Sequence, residues 1–179
     1  MADADVHALS PLAGRADVLA AVGAAEVAFL AQVDLRADPA LAPRLPLPLP
    51  LEPNAWTDGG GREALWLGPD QWLVLGGPGS ATAIAAELGR ALAGEHHSVV
   101  DVSANRTVVE LAGEERFGLL TQGCGLDLHP RVWGPGRCAQ TLLARVPVLL
   151  QERDQATRVF VRASFAAHLA DWLHAAGTS

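Results

Sequence analysis

The chain has 179 residues, 50% of them hydrophobic and 18% charged, with a formal net charge of −7. That length suits one domain of average size, able to bury roughly 70% of the surface its unfolded chain exposes, and the composition is too apolar for disorder. All 13 basic residues are arginine and tyrosine is absent, which excludes a lysine Schiff base, a P-loop ammonium and a phenolic acid, while the acidic balance without an arginine stripe argues against nucleic acid and anionic membrane as partners.

The opening Met-Ala-Asp-Ala-Asp is acidic where a secretory signal is basic. Residues 16–33 are the most apolar early stretch, but Asp17 and Glu26 interrupt them, so they make a poor membrane span. With two cysteines, Cys124 and Cys138, at most one bridge can form, and a reducing, cytoplasmic setting is expected. Residues 27–36 (VAFLAQVDLR) partly alternate and stop before Asp38-Pro39, predicting a strand. Residues 41–53 (LAPRLPLPLPLEP) carry proline at nearly every second position, which removes amide donors and fixes φ. Polyproline II is the natural conformation. The tract reads as a stiff connector with its leucines on the core, in preference to a PxxP ligand for an aromatic groove.

Gly59-Gly60-Gly61 predicts a turn before strands at 63–67 and 71–75, joined tightly by Gly68-Pro69-Asp70, with Trp66 and Trp72 placed to pair across them. Ser80 is a candidate cap for a helix running to Arg90 or Ala93, with Ile84, Leu88, Ala91 and Leu92 as its apolar stripe and Gly94 as its stop. Strands follow at 99–102 and 107–111, then a short helix with Phe117 and Leu120 inward, ended by Gly123. After a loop over 124–137, residues 139–150 read as one strand-like run with Pro147 at an edge or bulge. A strand at 159–161 and a helix capped by Ser164, with Phe165, Leu169, Trp172 and Leu173 on one face, close the chain. This order predicts an α+β domain with a mostly antiparallel sheet and packed helices, spanning residues 1–179.

The chemistry-bearing residues are sparse. Gly123-Cys124-Gly125 lacks the third glycine and the following helix of a dinucleotide fingerprint, and neither G-x-S-x-G nor H-E-x-x-H occurs. Cys124, His129 and Cys138 offer three zinc ligands without the usual spacings, so structural roles are expected for them. Asp127 and His129 share a side of extended backbone because Pro130 biases His129 that way, which suits a carboxylate-oriented general base. The simpler reading, in which both hold the turn through backbone bonds, is favoured. Asp101, Ser103 and Asn105 are turn formers, and Arg106 is free to pair with Asp101 or to grip a carboxylate. His96 and His97 read as a solvated strand entry, and His7, His168 and His174 show no partner pattern. No catalytic set emerges.

Three segments together resemble the gamma subunit family of heterotetrameric sarcosine oxidase: LGPDQWLV at 67–74, VDVSANRT at 100–107, and GCGLDLHPR at 123–131, the last continuing into CAQTLL at 138–143. Ser10-Pro-Leu12 and the closing Ser164-Phe165 helix with Asp171-Trp172 fit as well. The resemblance implies a fold similar to the folate-binding domain of glycine-cleavage aminomethyltransferase. It also implies a noncatalytic structural subunit in a cytoplasmic complex with alpha, beta and delta subunits, alpha being the expected direct contact. Such a complex oxidatively demethylates sarcosine with O2, giving glycine and H2O2 and passing the one-carbon unit to tetrahydrofolate. FAD, FMN, NAD, tetrahydrofolate and zinc are implied on the partner subunits and none on this chain. No catalytic, cofactor or metal residue is implied here. Asp101, Ser103, Asn105, Arg106, Asp127, His129, Arg131 and Trp133 therefore stand as structural or interface candidates. The family helix that follows the segment matching Asp34-Leu-Arg36 is largely replaced by the Leu-Pro tract at 41–53. Two alternatives accompany this reading: a gamma-like subunit of a related N-methyl amino acid oxidoreductase, and a stand-alone folate binder similar to the protein that supports iron–sulfur enzymes. Of that protein's Lys-Gly-Cys-Tyr-x-Gly-Gln run, only Gly123-Cys124 coincides.

Overall fold

Alternating side chains along the strands sort into two sheets, each with one face on helices and the other on its neighbour. The computed structural model describes residues 8–178; His7 and the acidic first residues lie outside that range. In chain order the strands are β1 (Ala24–Val27), β2 (Ala31–Ala37), β3 (Trp56–Gly59), β4 (Arg62–Gly68), β5 (Gln71–Gly76), β6 (His97–Asp101), β7 (Arg106–Ala112), β8 (Cys138–Leu143), β9 (Val146–Glu152) and β10 (Ala156–Arg162). The α-helices are α1 (Ala16–Ala20), α2 (Ala81–Ala91), α3 (Arg116–Thr121) and α4 (Ala166–Gly177). One sheet has the order β1-β7-β10-β9-β8 and the other β3-β4-β5-β2-β6, and the strand pairs within both are antiparallel. The α+β expectation holds, with two sheets where the sequence suggested one.

Three apolar layers follow from the period of two. Val109, Leu111, Val159, Val161 and Leu150 face the helices, packing with Leu19, Leu120, Leu169 and Leu173. Val108, Phe160 and Leu149 point the other way and meet Leu65, Leu73 and Leu75 of the second sheet. The far face of that sheet, through Val33, Leu35, Trp72 and Val74, is covered by Ile84, Leu88 and Leu92 of the α2 segment.

Several elements depart from the sequence reading. The strand predicted at 27–36 is two strands in different sheets, because the chain turns at Phe29, whose φ of 59° breaks the extended run. The run at 139–150 is likewise a hairpin of β8 and β9, turned by Ala144 and Arg145 with φ of 52° and 67°. Such a two-residue turn usually advertises itself with Asn-Gly, so its sequence carried no signal. Residues 102–105, read as a turn, carry the chain from β6 in one sheet to β7 in the other. Strand β3 and helix α1 were not anticipated. At the last helix Phe165, not Ser164, is the cap residue, and Phe165 is exposed while Leu169 and Leu173 are buried.

The proline-rich tract is a strap over the second sheet. It begins as a 3-10 helix, Pro39–Arg44, with Asp38 accepting from the Ala40 amide, and then runs extended. Leu47 is buried, and Leu41, Leu45 and Leu49 pack beside it on the α2-side core, as expected of a connector. Trp66 and Trp72 are direct cross-strand partners on that face. The indole of Trp72 donates to the Pro50 carbonyl at 2.8 Å, and Thr57 donates to the Pro48 carbonyl at 2.6 Å. Gly59 leaves room for this: a Cβ there would lie 2.4 Å from Pro48 Cδ. Trp72→Phe removes the donor and strands a buried carbonyl, so the urea midpoint should fall by an amount worth about 2–3 kcal/mol with an unchanged slope; an unchanged midpoint would show that the strap is held otherwise.

Candidate functional site

The first candidate cluster sits where the chain changes sheets. Asp101 accepts both the amide of Ser103, at 2.9 Å, and its hydroxyl, at 2.6 Å. These bonds stabilise the carboxylate and hold its pKa below the ordinary value. The Ser103 hydroxyl oxygen in turn accepts the Gln32 amide at 3.0 Å, and the Val102 amide donates to the Gln32 carbonyl at 2.8 Å, pinning the link to β2. Asn105 contributes its carbonyl, which accepts the Ala163 amide at 3.0 Å. Asp101 and Arg106 do not pair. Arg106 instead stands directly opposite Arg162 on β10. Burial, and then the Arg162 charge, lower the Arg106 pKa, with Asp34 opposing them.

The second cluster, residues 123–137, is a loop knotted by its own backbone. Gly123 is required by contact, since a Cβ would lie 2.6 Å from the Trp172 ring. Asp127 Oδ1 accepts the His129 amide at 2.9 Å, and His129 Nδ1 accepts the Arg131 amide at 3.2 Å. The His129 carbonyl takes the amides of Val132 and Trp133, both at 2.9 Å. Asp127 and His129 thus hold the turn and leave no carboxylate–imidazole pair, as favoured from the sequence. Arg131 is exposed, whereas Trp133 is 94% buried within this chain (6% exposed), which makes it a fold residue.

What Trp133 reaches is the polar group that sequence reasoning missed. Its indole donates to Glu152 Oε2 at 3.0 Å. Glu152, only 1% exposed, forms an ion pair with Arg116 at 2.7 Å and accepts the hydroxyl of Thr157, its cross-strand neighbour. Arg116 also donates to Thr157 Oγ1 at 3.2 Å and to the Gly113 carbonyl at 2.6 Å. The Glu152 carbonyl accepts the Trp56 indole at 2.8 Å. A signal existed: Val148, Leu150 and Glu152 share one strand face, so a carboxylate in register with core residues demanded a buried cation. A second seam joins the sheets, with Glu63 of β4 accepting from Gln151 at 2.6 Å and Arg153 at 2.5 Å and lying 3.4 Å from Arg158.

Neither cysteine is placed for chemistry. Cys124 packs on the helix-side core and Cys138 between the sheets; both are free thiols. Cys138 Sγ donates to the Ala55 carbonyl at 3.2 Å, and burial pushes its pKa up to about 12. Among the described residues no three His, Cys, Asp or Glu side chains gather as a metal site, and no helix is long and apolar enough to cross a membrane.

Two antiparallel sheets packed face to face, flanked by helices, define an α+β architecture shared with glycine cleavage system aminomethyltransferase T from Bartonella henselae (TM-score 0.66, 15% identity, 92% of this chain and 50% of that one). The chain itself belongs to the sarcosine oxidase, gamma subunit family, whose pattern matches residues 22–179. It is 41% identical over 156 residues to the sarcosine oxidase subunit gamma of Arthrobacter sp., covering 83% of this chain and 76% of that one. Against the subunit from Corynebacterium sp. (strain U-96) it is 40% identical over 161 residues, covering 86% and 78%. A chain of the heterotetrameric sarcosine oxidase from Corynebacterium sp. U-96, in complex with pyrrole 2-carboxylate, superimposes with a TM-score of 0.87 at 37% identity over 96% of this chain and 95% of that one.

Removing Arg116 leaves a buried carboxylate without its cation. Arg116→Met should therefore destabilise the chain by about 3–5 kcal/mol in chemical denaturation, and adding Glu152→Gln should recover part of that loss. Cys138 gives a pH signature. Its folded pKa lies above the ordinary value of 9.0, so the folded state keeps the proton longer; its contribution is intact below pH 9.0 and is lost as pH rises towards about 12. Alkaline unfolding of Cys138→Ala should accordingly be shallower than wild type over that window, and the native Cys138 thiol should resist alkylation at neutral pH.

Proposed function

We propose that this chain is the gamma subunit of a heterotetrameric sarcosine oxidase and acts there as a noncatalytic assembly subunit, partnered by alpha, beta and delta chains with alpha as the direct contact. The observation that carries the reading is the superposition, along nearly the whole length of both chains, on a chain of the heterotetrameric enzyme. One domain spans residues 1–179, with 41–53 as its connector. The bonding within the two clusters supports a structural role: Asp101 and Asp127 hold turn amides, and Cys138 is kept protonated by burial.

In this reading the complex, in the cytoplasm, oxidises the N-methyl group of sarcosine. Sarcosine, O2 and water give glycine, formaldehyde and H2O2; with tetrahydrofolate the one-carbon unit leaves as methylenetetrahydrofolate. FAD, FMN, NAD, tetrahydrofolate and zinc belong to the partner chains. Asp101, Ser103 and Asn105 hold the crossing between sheets, Asp127 and His129 hold the loop, and Arg106 and Arg131 are left for contact.

Native mass spectrometry of the chain purified from its own cells should show a flavin-bearing assembly with three other polypeptides. That assembly should produce peroxide with sarcosine, and the isolated chain should produce none. Recovery as a lone monomer that binds tetrahydrofolate would replace this reading with a stand-alone folate protein. Turnover with a different N-methyl amino acid would keep the subunit role and change the substrate.

A further inference from the structure

Among the described residues, eight of the 13 arginines are ion-paired to an acid. Among the five that are not, Arg106 and Arg162 stand directly opposite each other on β7 and β10. Like charges placed so across a sheet are destabilising, and elsewhere this sheet avoids the problem: four residue pairs along the same strands, Arg158 faces Glu110 and bonds it at 2.8 Å. Arg106 and Arg162 lie on the face that meets the second sheet, at the end where that sheet no longer covers it, since Phe160 and Val108 on the same face are fully buried and Arg162 is exposed. Asp34, which looks across from β2, has one carboxylate oxygen taken by Gln71 at 2.7 Å and makes no ion pair with either arginine.

Several large apolar side chains stand exposed around this end, beside the turn that Asp101 holds. Val100 lies opposite Asp34 on β6 and is 50% exposed. Phe29, just past the β1 end that pairs with Val108, is 51% exposed. Phe165 follows Arg162 by three residues and is 40% exposed, and Leu142, opposite Pro147 on the same face of the sheet, is 54% exposed. Two unpaired guanidinium groups within such a rim make a poor free surface and a good half of an interface, in which arginine and aromatic side chains concentrate binding energy.

We propose that the Arg106–Arg162 end of the first sheet is a docking surface for an acidic segment of a partner subunit, whose carboxylates pair with the two arginines while its apolar flanks cover Phe29, Val100 and Phe165. Charge complementarity commits the occupant: a neutral or basic segment would leave two opposed cations buried without an acid. This proposal rests on the chain being a subunit, as argued above.

The test is co-expression with the three other subunits, followed by retention of this chain on the purified complex over a salt series, together with thermal melting of the full chain alone. Arg162→Glu should weaken retention on the order of tenfold or more. In the lone chain the same change gives Arg106 an acid and should leave the melting temperature unchanged or raise it. Loss of binding with retained or improved folding is a pattern that a merely structural residue does not produce. Arg162→Gln should weaken retention less and flatten its salt dependence, and Arg90→Glu, on the exposed side of α2, should change neither. Wild-type retention of both Arg162 variants overturns the surface while leaving the subunit reading intact. Failure of the wild-type chain to join any complex overturns both. An arginine-dependent dimer of the lone chain would assign the surface to a second copy and overturn the partner proposal.

Discussion

On the helix side of this protein α3, β9, β10 and the loop before β8 meet at one buried charge pair. Glu152 and Arg116 come from elements that are not neighbours in the chain, and their heads are satisfied by Thr157, the Gly113 carbonyl and the Trp133 indole. A buried ion pair contributes little net stability against an apolar alternative, but with either partner missing the other is intolerable. The pair therefore acts as a positional constraint. α3 can dock on β9 and β10 in one register, and the long loop before β8 can close in one way, with Trp133 over the carboxylate. The GCGLDLHPR segment is shaped by this constraint: its aspartate and histidine tie the backbone so that the tryptophan two residues beyond Arg131 arrives where it is needed.

The second sheet is organised by a different device. Its outer face is only partly covered by α2, and the rest is sealed by a strap whose prolines cannot compete for sheet hydrogen bonds. The strap's carbonyls accept from Trp72 and Thr57, so a tract that contributes few amide donors still contributes acceptors. Between the sheets, Glu63 with Arg153 and Arg158 holds one end of the interface closed. At the opposite end Arg106 and Arg162 meet each other, and no acid among the described residues pairs with either.

Much of the fold was legible because it is written in local periodicity. The alternating TVVEL and RVFV runs, the GPD turn and the α2 stripe of Ile84, Leu88 and Leu92 each specify their element within a few residues. The cross-strand placement of Trp66 and Trp72 followed from the short turn between them. The two misread runs share a cause. At Phe29 and at Ala144-Arg145 the chain turns on non-glycine residues with positive φ, a conformation imposed by the strands on either side and not announced by composition. The site was legible only as far as it is local. Asp127 and His129 bond within two residues and could be placed, whereas Glu152 needed a partner 36 residues away and Arg106 an opposing strand 56 residues on.

The order of strands within each sheet carries a temporal consequence. The β2–β6 sheet is built wholly from residues 31–101, a continuous block, while its companion needs β1 and then everything from Arg106 to Arg162. On a ribosome adding about 5–20 residues each second, roughly 3–12 s separate the emergence of the first sheet's last strand from that of the second's. During that interval Leu65, Leu73 and Leu75 have no Phe160 or Leu149 to cover them. The nascent chain presents a finished sheet with one greasy side to the cell, and β1, already made, waits beside it for a partner some eighty residues downstream.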